Sequence, residues 1–242
     1  MQENIQKHSE SFPDMERMKS LLLDSIVHDI KNYAAGIEGN ATLLAKQFCK
    51  EKKVRNTARL ISDSCANIVC LASNMRDMGT LENGKLVPEK ESITKNMLFE
   101  LGEMIKSGML FEEKNITVNL IDKTTGTFTI DADPRLMERM VQNLFITAFK
   151  CVPRDGTVTM CLEAVDDESV LCFYISGIPI PDEDKTSLFD KYASVQKKGS
   201  PYFKGMGLYY CKLAMEAHQG RIWVETDPKG NYFKLAFKKK PA

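Results

Sequence analysis

The sequence predicts an α+β protein in two parts: a two-helix hairpin forming a dimeric four-helix bundle, followed by an α/β sandwich. Three observations carry this. Apolar residues recur at alternating steps of four and three through Val54, Ala58, Ile61, Cys65, Ile68, Ala72 and Met75, the heptad seam of a coiled coil or bundle. The seam stops at Gly79-Thr80-Leu81-Glu82-Asn83-Gly84-Lys85, where glycines and an asparagine interrupt it, and Pro88 opposes renewed helix. Beyond the break, short strand-like runs are interspersed with helical ones.

Taken in order, residues 1–13 read as a polar leader and 14–79 as the hairpin, its first helix running to about residue 48 and its turn lying near Cys49-Lys50-Glu51-Lys52-Lys53. Two helices leave one apolar flank open; dimerisation into a four-helix bundle is the simplest closure, and packing on the second domain is the alternative. Residues 80–92 read as a linker and 93–242 as the sandwich. Within it, helices are expected over 93–107, 134–151 and 207–218, and strands over 116–121, 127–131, 157–164, 169–175, 221–225 and 232–237. The irregular stretch 177–206 has the length of a lid or binding loop.

At 242 residues and 43% apolar composition the chain can bury substantial cores. Its 33 basic residues balance 33 acidic ones, so no overall field favours nucleic acid. No run approaches a membrane span, and the polar opening Met1-Gln2-Glu3-Asn4 is no signal peptide, which gives a cytoplasmic expectation. Seven cysteines without paired CxxC spacing suit reduced core thiols better than disulfides or zinc ligands.

The segment Ser25-Ile26-Val27-His28-Asp29-Ile30-Lys31-Asn32-Tyr33 places a histidine, an acid and an amide together. In a helix, Asp24, His28 and Asn32 follow at i, i+4 spacing, apart from an apolar stripe of Leu22, Ile26, Ile30, Tyr33 and Ile37. His28 then faces water while the stripe holds the helix in its bundle. A neutral imidazole nitrogen is a good phosphoryl acceptor, and an adjacent carboxylate such as Asp29 fixes its tautomer and stabilises the charge that develops during attack.

Several ordered motifs resemble the bacterial two-component sensor histidine kinases, whose helical dimerisation and histidine-phosphotransfer domain precedes a GHKL-type ATP-binding domain. His28-Asp29-x-x-Asn32 resembles the phosphoacceptor motif, and Leu81-Glu82-Asn83-Gly84-Lys85 the interdomain link. Asn143-Leu144-Phe145 through Lys150 resembles the asparagine box, Ser187-Leu188-Phe189-Asp190 the phenylalanine box, and Gly205-Met206-Gly207-Leu208 with Glu216-Ala217-His218-Gln219-Gly220-Arg221 the second glycine box and the strand after it. The resemblance implies His28, Asp29 and Asn32 as catalytic residues, with Asn32 orienting water for receiver dephosphorylation. It implies Asn143, Lys150, Gly177, Gly205 and Gly207 as nucleotide contacts, ATP and Mg²⁺ as cofactors, a response-regulator receiver domain as partner, and a homodimer. Lys197, Lys198 and Lys204 fall in the lid.

Departures from the pattern concentrate in the nucleotide site. Thr147 stands where a second asparagine is the family's magnesium ligand beside Asn143, and its hydroxyl is a weaker, shorter donor. The first glycine box, Asp-x-Gly-x-Gly-Ile-Pro in the family, reads Ile175-Ser176-Gly177-Ile178-Pro179-Ile180-Pro181. Ile175 thus replaces the acid that accepts the adenine amino group, a loss of about 1–3 kcal/mol, and Pro179 stiffens the loop. The expected activity is phosphoryl transfer between His28 and a receiver aspartate on a degenerate ATP domain. The alternatives are an active autokinase with substitute contacts and a non-catalytic scaffold. His218 and Trp223 are expected in helix–strand packing.

Overall fold

A computed structural model describes residues 3–107, 111–191 and 206–239, with backbone alone for 3–20 and 112–113. The chain divides into two compact units, Met1–Thr80 and Leu81–Ala242.

The first unit is built on helices α1, Glu3–Gln47, and α2, Lys52–Glu82. Residues expected as a polar leader are helical from Glu3; helix propensity is high for Glu, Gln and Lys. The turn closes with Phe48 N–H on the Leu44 carbonyl at 3.0 Å and Glu51 N–H on that of Phe48 at 2.9 Å. Small residues at heptad steps are buried, Val27, Ala34 and Ala41 on α1 and Ala58, Cys65 and Ala72 on α2, and α2 also buries Cys70, Ser73, Asn74 and Met78. The stripe expected to hold α1 in place lies largely outside this seam, with Ile26 54%, Tyr33 74% and Ile37 50% exposed. Periodicity identifies an apolar face, but not the surface that covers it.

The second unit has a two-stranded and a five-stranded sheet. Strand β1, Glu91–Thr94, absent from the sequence expectation, pairs antiparallel with β3, Thr129–Ala132, and buries Ile93. Four residues with one inward side chain are too short a pattern to stand out. The main sheet runs β2-β4-β5-β7-β6: β2, Thr117–Asp122; β4, Thr157–Val165; β5, Glu168–Ser176; β7, Gly230–Lys238; and β6, Arg221–Asp227. β2 and β4 are parallel and every other neighbouring pair is antiparallel.

Helices α3, Lys95–Ser107, α4, Pro134–Cys151, and α6, Met206–Ala217, cover one sheet face, α4 packing on α3, α6 and β5. A short helix α5, Asp182–Lys185, precedes a 3-10 turn at Ser187–Phe189 that buries Leu188 and Phe189. Between helices and sheet, Met137, Met140, Leu144, Met160, Leu162 and Phe233 are fully buried, and Phe145 meets Phe173 edge to face at 5.1 Å.

Candidate functional site

Two sets of candidate functional side chains emerge, one in each unit. On α1, helical spacing carries Asn32 one turn beyond His28, and both project into solvent with Asp29. His28 Nδ1 lies 3.4 Å from Asp29 Oδ1 and 3.2 Å from Asn32 Nδ2. These contacts belong to different tautomers. With Nδ1 protonated, its N–H points to Asp29 and Nε2 keeps an outward lone pair, the state a nucleophile needs. With Nδ1 unprotonated, it accepts from the Asn32 amide instead. The His28 side chain is 73% exposed and that of Asp29 62%, so a phosphoryl donor can reach the ring.

In the second unit, α4 carries Asn143, Thr147 and Lys150 on one face at steps of four and three. Asn143 is buried, and its Nδ2 donates to the Arg139 carbonyl at 2.8 Å. Thr147 Oγ1 donates to the Asn143 carbonyl at 2.7 Å, which leaves its lone pairs as the ligating group for a cation. Lys150 is exposed in the last turn. Gly207, in the first turn of α6, faces Asn143 so closely that a Cβ there would stand 2.8 Å from Asn143 Oδ1. The expected asparagine and second glycine boxes therefore meet. Gly205 and the lid lysines 197, 198 and 204 lie outside the described residues.

The loop after β5 completes this set. Gly177 adopts φ +142°, reserved for residues without a Cβ, and its N–H donates to the Lys229 carbonyl at 2.9 Å. Ile175, 1% exposed, is part of the core. An apolar side chain there replaces an acceptor with packing. Asn231, which no motif singled out, holds this loop: buried at the start of β7, its Oδ1 accepts from Ile180 N–H at 2.8 Å and its Nδ2 donates to the Ile178 carbonyl at 3.0 Å.

A second unanticipated anchor sits under α4. Asp133 caps the helix, its Oδ1 accepting from the N–H groups of Arg135 at 2.9 Å and Leu136 at 3.3 Å, while Oδ2 accepts from Glu89 N–H at 3.0 Å. Burial pushes its carboxyl upward, but the Arg135 side chain and these N–H donors hold it below the usual range. Asp133 N–H in turn donates to His218 Nε2 at 2.9 Å, and His218 Nδ1 meets the Ala214 carbonyl at 2.6 Å. Burial lowers the His218 pKa, opposed by the Ala214 bond, so the ring is kept neutral with Nδ1–H donating and Nε2 accepting. His218 thus serves packing as expected and also joins α6 to the start of α4. Trp223 differs from expectation: it lies half-buried under the Arg221 guanidinium, 4.2 Å from the ring centroid, with Nε1 donating to Glu225 at 2.8 Å.

Residues 132–241 match the family described as histidine kinase-, DNA gyrase B- and HSP90-like ATPase. Sensor histidine kinase CusS of Escherichia coli strain K12 is 24% identical over 230 residues, covering 93% of this chain and 46% of that protein. Residues 132–241 therefore belong to that ATPase family, and the chain as a whole is similar to two-component sensor histidine kinases. The catalytic domain of histidine kinase ThkA is similar in structure, with a TM-score of 0.51 and 25% identity over 64% of this chain and 99% of that one. Histidine kinase ThkA in complex with response regulator protein TrrA gives a TM-score of 0.57 at 20% identity, covering 97% of this chain and 66% of that one. The chain spans about half the length of the curated sensor kinases it matches. Among the described residues no helix is long and apolar enough to cross a membrane. The sandwich has the fold of the histidine kinase-like ATPase domains.

Proposed function

We propose that this protein transfers a phosphoryl group between His28 and an aspartate of a response regulator, acting as a homodimer. The observation that carries it is the exposed His28 with Asp29 and Asn32 around its Nδ1. In transfer from a receiver, Nε2 attacks the phosphorus of the aspartyl phosphate in line, a P–N bond forms and the carboxylate leaves; the reverse step restores the acyl phosphate. Asp29 stabilises the positive charge that the ring gains. Asn32, in reach of the same surface, orients a water against the receiver's phosphoryl group and supports a phosphatase activity. Positioning and electrostatics supply most of the catalysis in phosphoryl transfer, so the site needs few groups beyond these.

The nucleotide domain is read as weakened in adenine recognition. Ile175 offers no acceptor, and the Asn231 amide is committed to the loop backbone. If Mg²⁺ accompanies the nucleotide, Asn143 and Thr147 would hold it and supply charge neutralisation at the phosphates. The apposition of Asn143 and Gly207 favours a second reading, an active autokinase, because it keeps the phosphate end of the site assembled. ThkA's association with a response regulator supports a receiver as the partner.

Incubation with MgATP, and separately with a phosphorylated receiver, followed by intact mass and an acid-lability test, separates the readings. Label on wild type but not His28→Ala, arriving from the receiver alone, is the expected result. Label from ATP alone overturns the weakened site in favour of the autokinase, and no label from either donor leaves a scaffold.

A further inference from the structure

On the sheet face away from the helices, one row crosses all five strands. Ile121, Cys161, Cys172, Lys234 and Trp223 lie directly opposite one another in turn. Side chains alternate along a strand, so Glu163, two residues beyond Cys161 on β4, shares the face. The thiols are shielded, Cys161 2% and Cys172 1% exposed, whereas the Glu163 side chain is 21% exposed at their solvent side. Cys161 Sγ lies 3.7 Å from Glu163 Oε1, and the two sulfurs and a Glu163 carboxylate oxygen all fall within 4.8 Å of one another.

We propose that Cys161, Cys172 and Glu163 form a binding site for a thiophilic divalent cation of the zinc type. Zinc bonds to sulfur at about 2.3 Å and carboxylate oxygen at about 2.1 Å, which in a tetrahedron sets neighbouring ligand atoms roughly 3.7 Å apart. The present separations reach that by side-chain rotation on two strands already fixed by their ladder. A water supplies the fourth ligand. As the two metal–sulfur bonds form, both thiol protons pass to solvent. Two thiolates and a carboxylate against a divalent ion leave one negative charge, which the Lys123 ammonium, 2.8 Å from Glu163 Oε1, offsets. Lys123 is half-exposed and can swing aside to admit the ion.

Along the chain these cysteines have no CxxC spacing. Antiparallel pairing through the β4–β5 hairpin does the work of that spacing, since it sets Cys161 against Cys172 across the ladder. A pair of core thiols acting as hydrophobes also needs no carboxylate beside the sulfur. The ion would tie β4 to β5, the strand that ends at Ser176 and leads into the Gly177 loop.

The test is a Cd²⁺ titration of the full chain, reduced and stripped with chelator, read by thiolate-to-cadmium charge-transfer absorbance and by thermal midpoint. One ion per chain and a raised midpoint are expected, both lost in Cys172→Ser. Cys49→Ser, which removes the exposed thiol of the hairpin, leaves both unchanged. Glu163→Gln, which keeps the core thiols and covers the case of a misfolded serine variant, weakens binding by about tenfold or more. No charge-transfer band in the wild type, a band that survives Cys172→Ser, or an affinity unaltered by Glu163→Gln overturns the site. So does a Cys161–Cys172 disulfide that forms under mild oxidant as fast with saturating Cd²⁺ as without it.

Discussion

Gly207 of α6 and Asn143 of α4 touch so closely that one methyl group on the glycine would stand 2.8 Å from Asn143 Oδ1. Asn143 cannot retreat freely, because its Nδ2 is bonded to the Arg139 carbonyl. Gly207→Ala is therefore expected to displace the Asn143 oxygen and weaken nucleotide binding by about tenfold, equivalent to roughly 1.4 kcal/mol. Titration with a fluorescent ATP analogue measures it, and unchanged affinity would show that this contact lies outside the nucleotide site.

Ile175→Asp tests the adenine end. The new carboxylate provides the missing acceptor, and nucleotide affinity should rise on the order of ten- to a hundredfold. Because the position is 1% exposed, the unliganded protein should lose thermal stability in the same variant. Calorimetric titration and thermal unfolding read the two opposed effects, and a stability loss without gain in affinity would count against Ile175 standing at the adenine end of the site.

Around His28 the three side chains should separate by function. His28→Ala abolishes acid-labile phosphate. Asp29→Asn leaves the nucleophile in place but removes the charge that stabilises it, slowing transfer by about 10²-fold. Asn32→Ala should spare transfer and slow dephosphorylation of the receiver, which a time course on Phos-tag gels resolves.

His218 makes stability depend on pH. Burial holds its pKa below the usual 6.5, so the unfolded chain binds the proton more tightly than the folded one. Stability then rises with pH through the window beneath 6.5, is complete above it, and is lost as pH falls and the Nε2 acceptor of Asp133 N–H is protonated. Denaturant unfolding from acid to neutral pH should show a steeper rise for wild type than for His218→Gln. His218→Leu, which has no acceptor, should lose about 1–3 kcal/mol at neutral pH from the stranded Asp133 N–H.

The exposed stripe on α1 predicts its own partner. Ile26 and Ile37 are half-exposed in the single chain, and a second copy covers them in the proposed bundle. Ile26→Glu with Ile37→Glu should convert a dimer to a monomer in sedimentation velocity without loss of helical circular dichroism. A wild-type monomer at micromolar concentration would refute the bundle.

Elements of strong period were legible in the sequence because the signal is local. The α4 span expected at 134–151 is the observed Pro134–Cys151, with Asp133 as its cap and proline at its first position, and the central strands β4 and β5 differ from expectation by a residue at their ends. His28, Asp29 and Asn32 share a helix, so spacing alone placed them together. The four-residue strand β1 was invisible for the same reason, since its partner β3 is the only thing that makes it a strand.

What the chain could not state locally is which distant groups meet. His218 and Asp133, Asn231 and Ile180, and Gly207 and Asn143 are pairs joined only by the folding of the sheet and its helices. Cys161 and Cys172 become a pair of ligands only through their cross-strand register, where a one-residue slip would turn the two thiols to opposite faces. The sequence by itself thus determined periodicity and the shared helix face of His28, Asp29 and Asn32, each set by spacing within a few residues. Tertiary structure decided which apolar face was buried, what fastens the loop after β5, and where two thiols and a carboxylate converge, because burial and register depend on partners far along the chain.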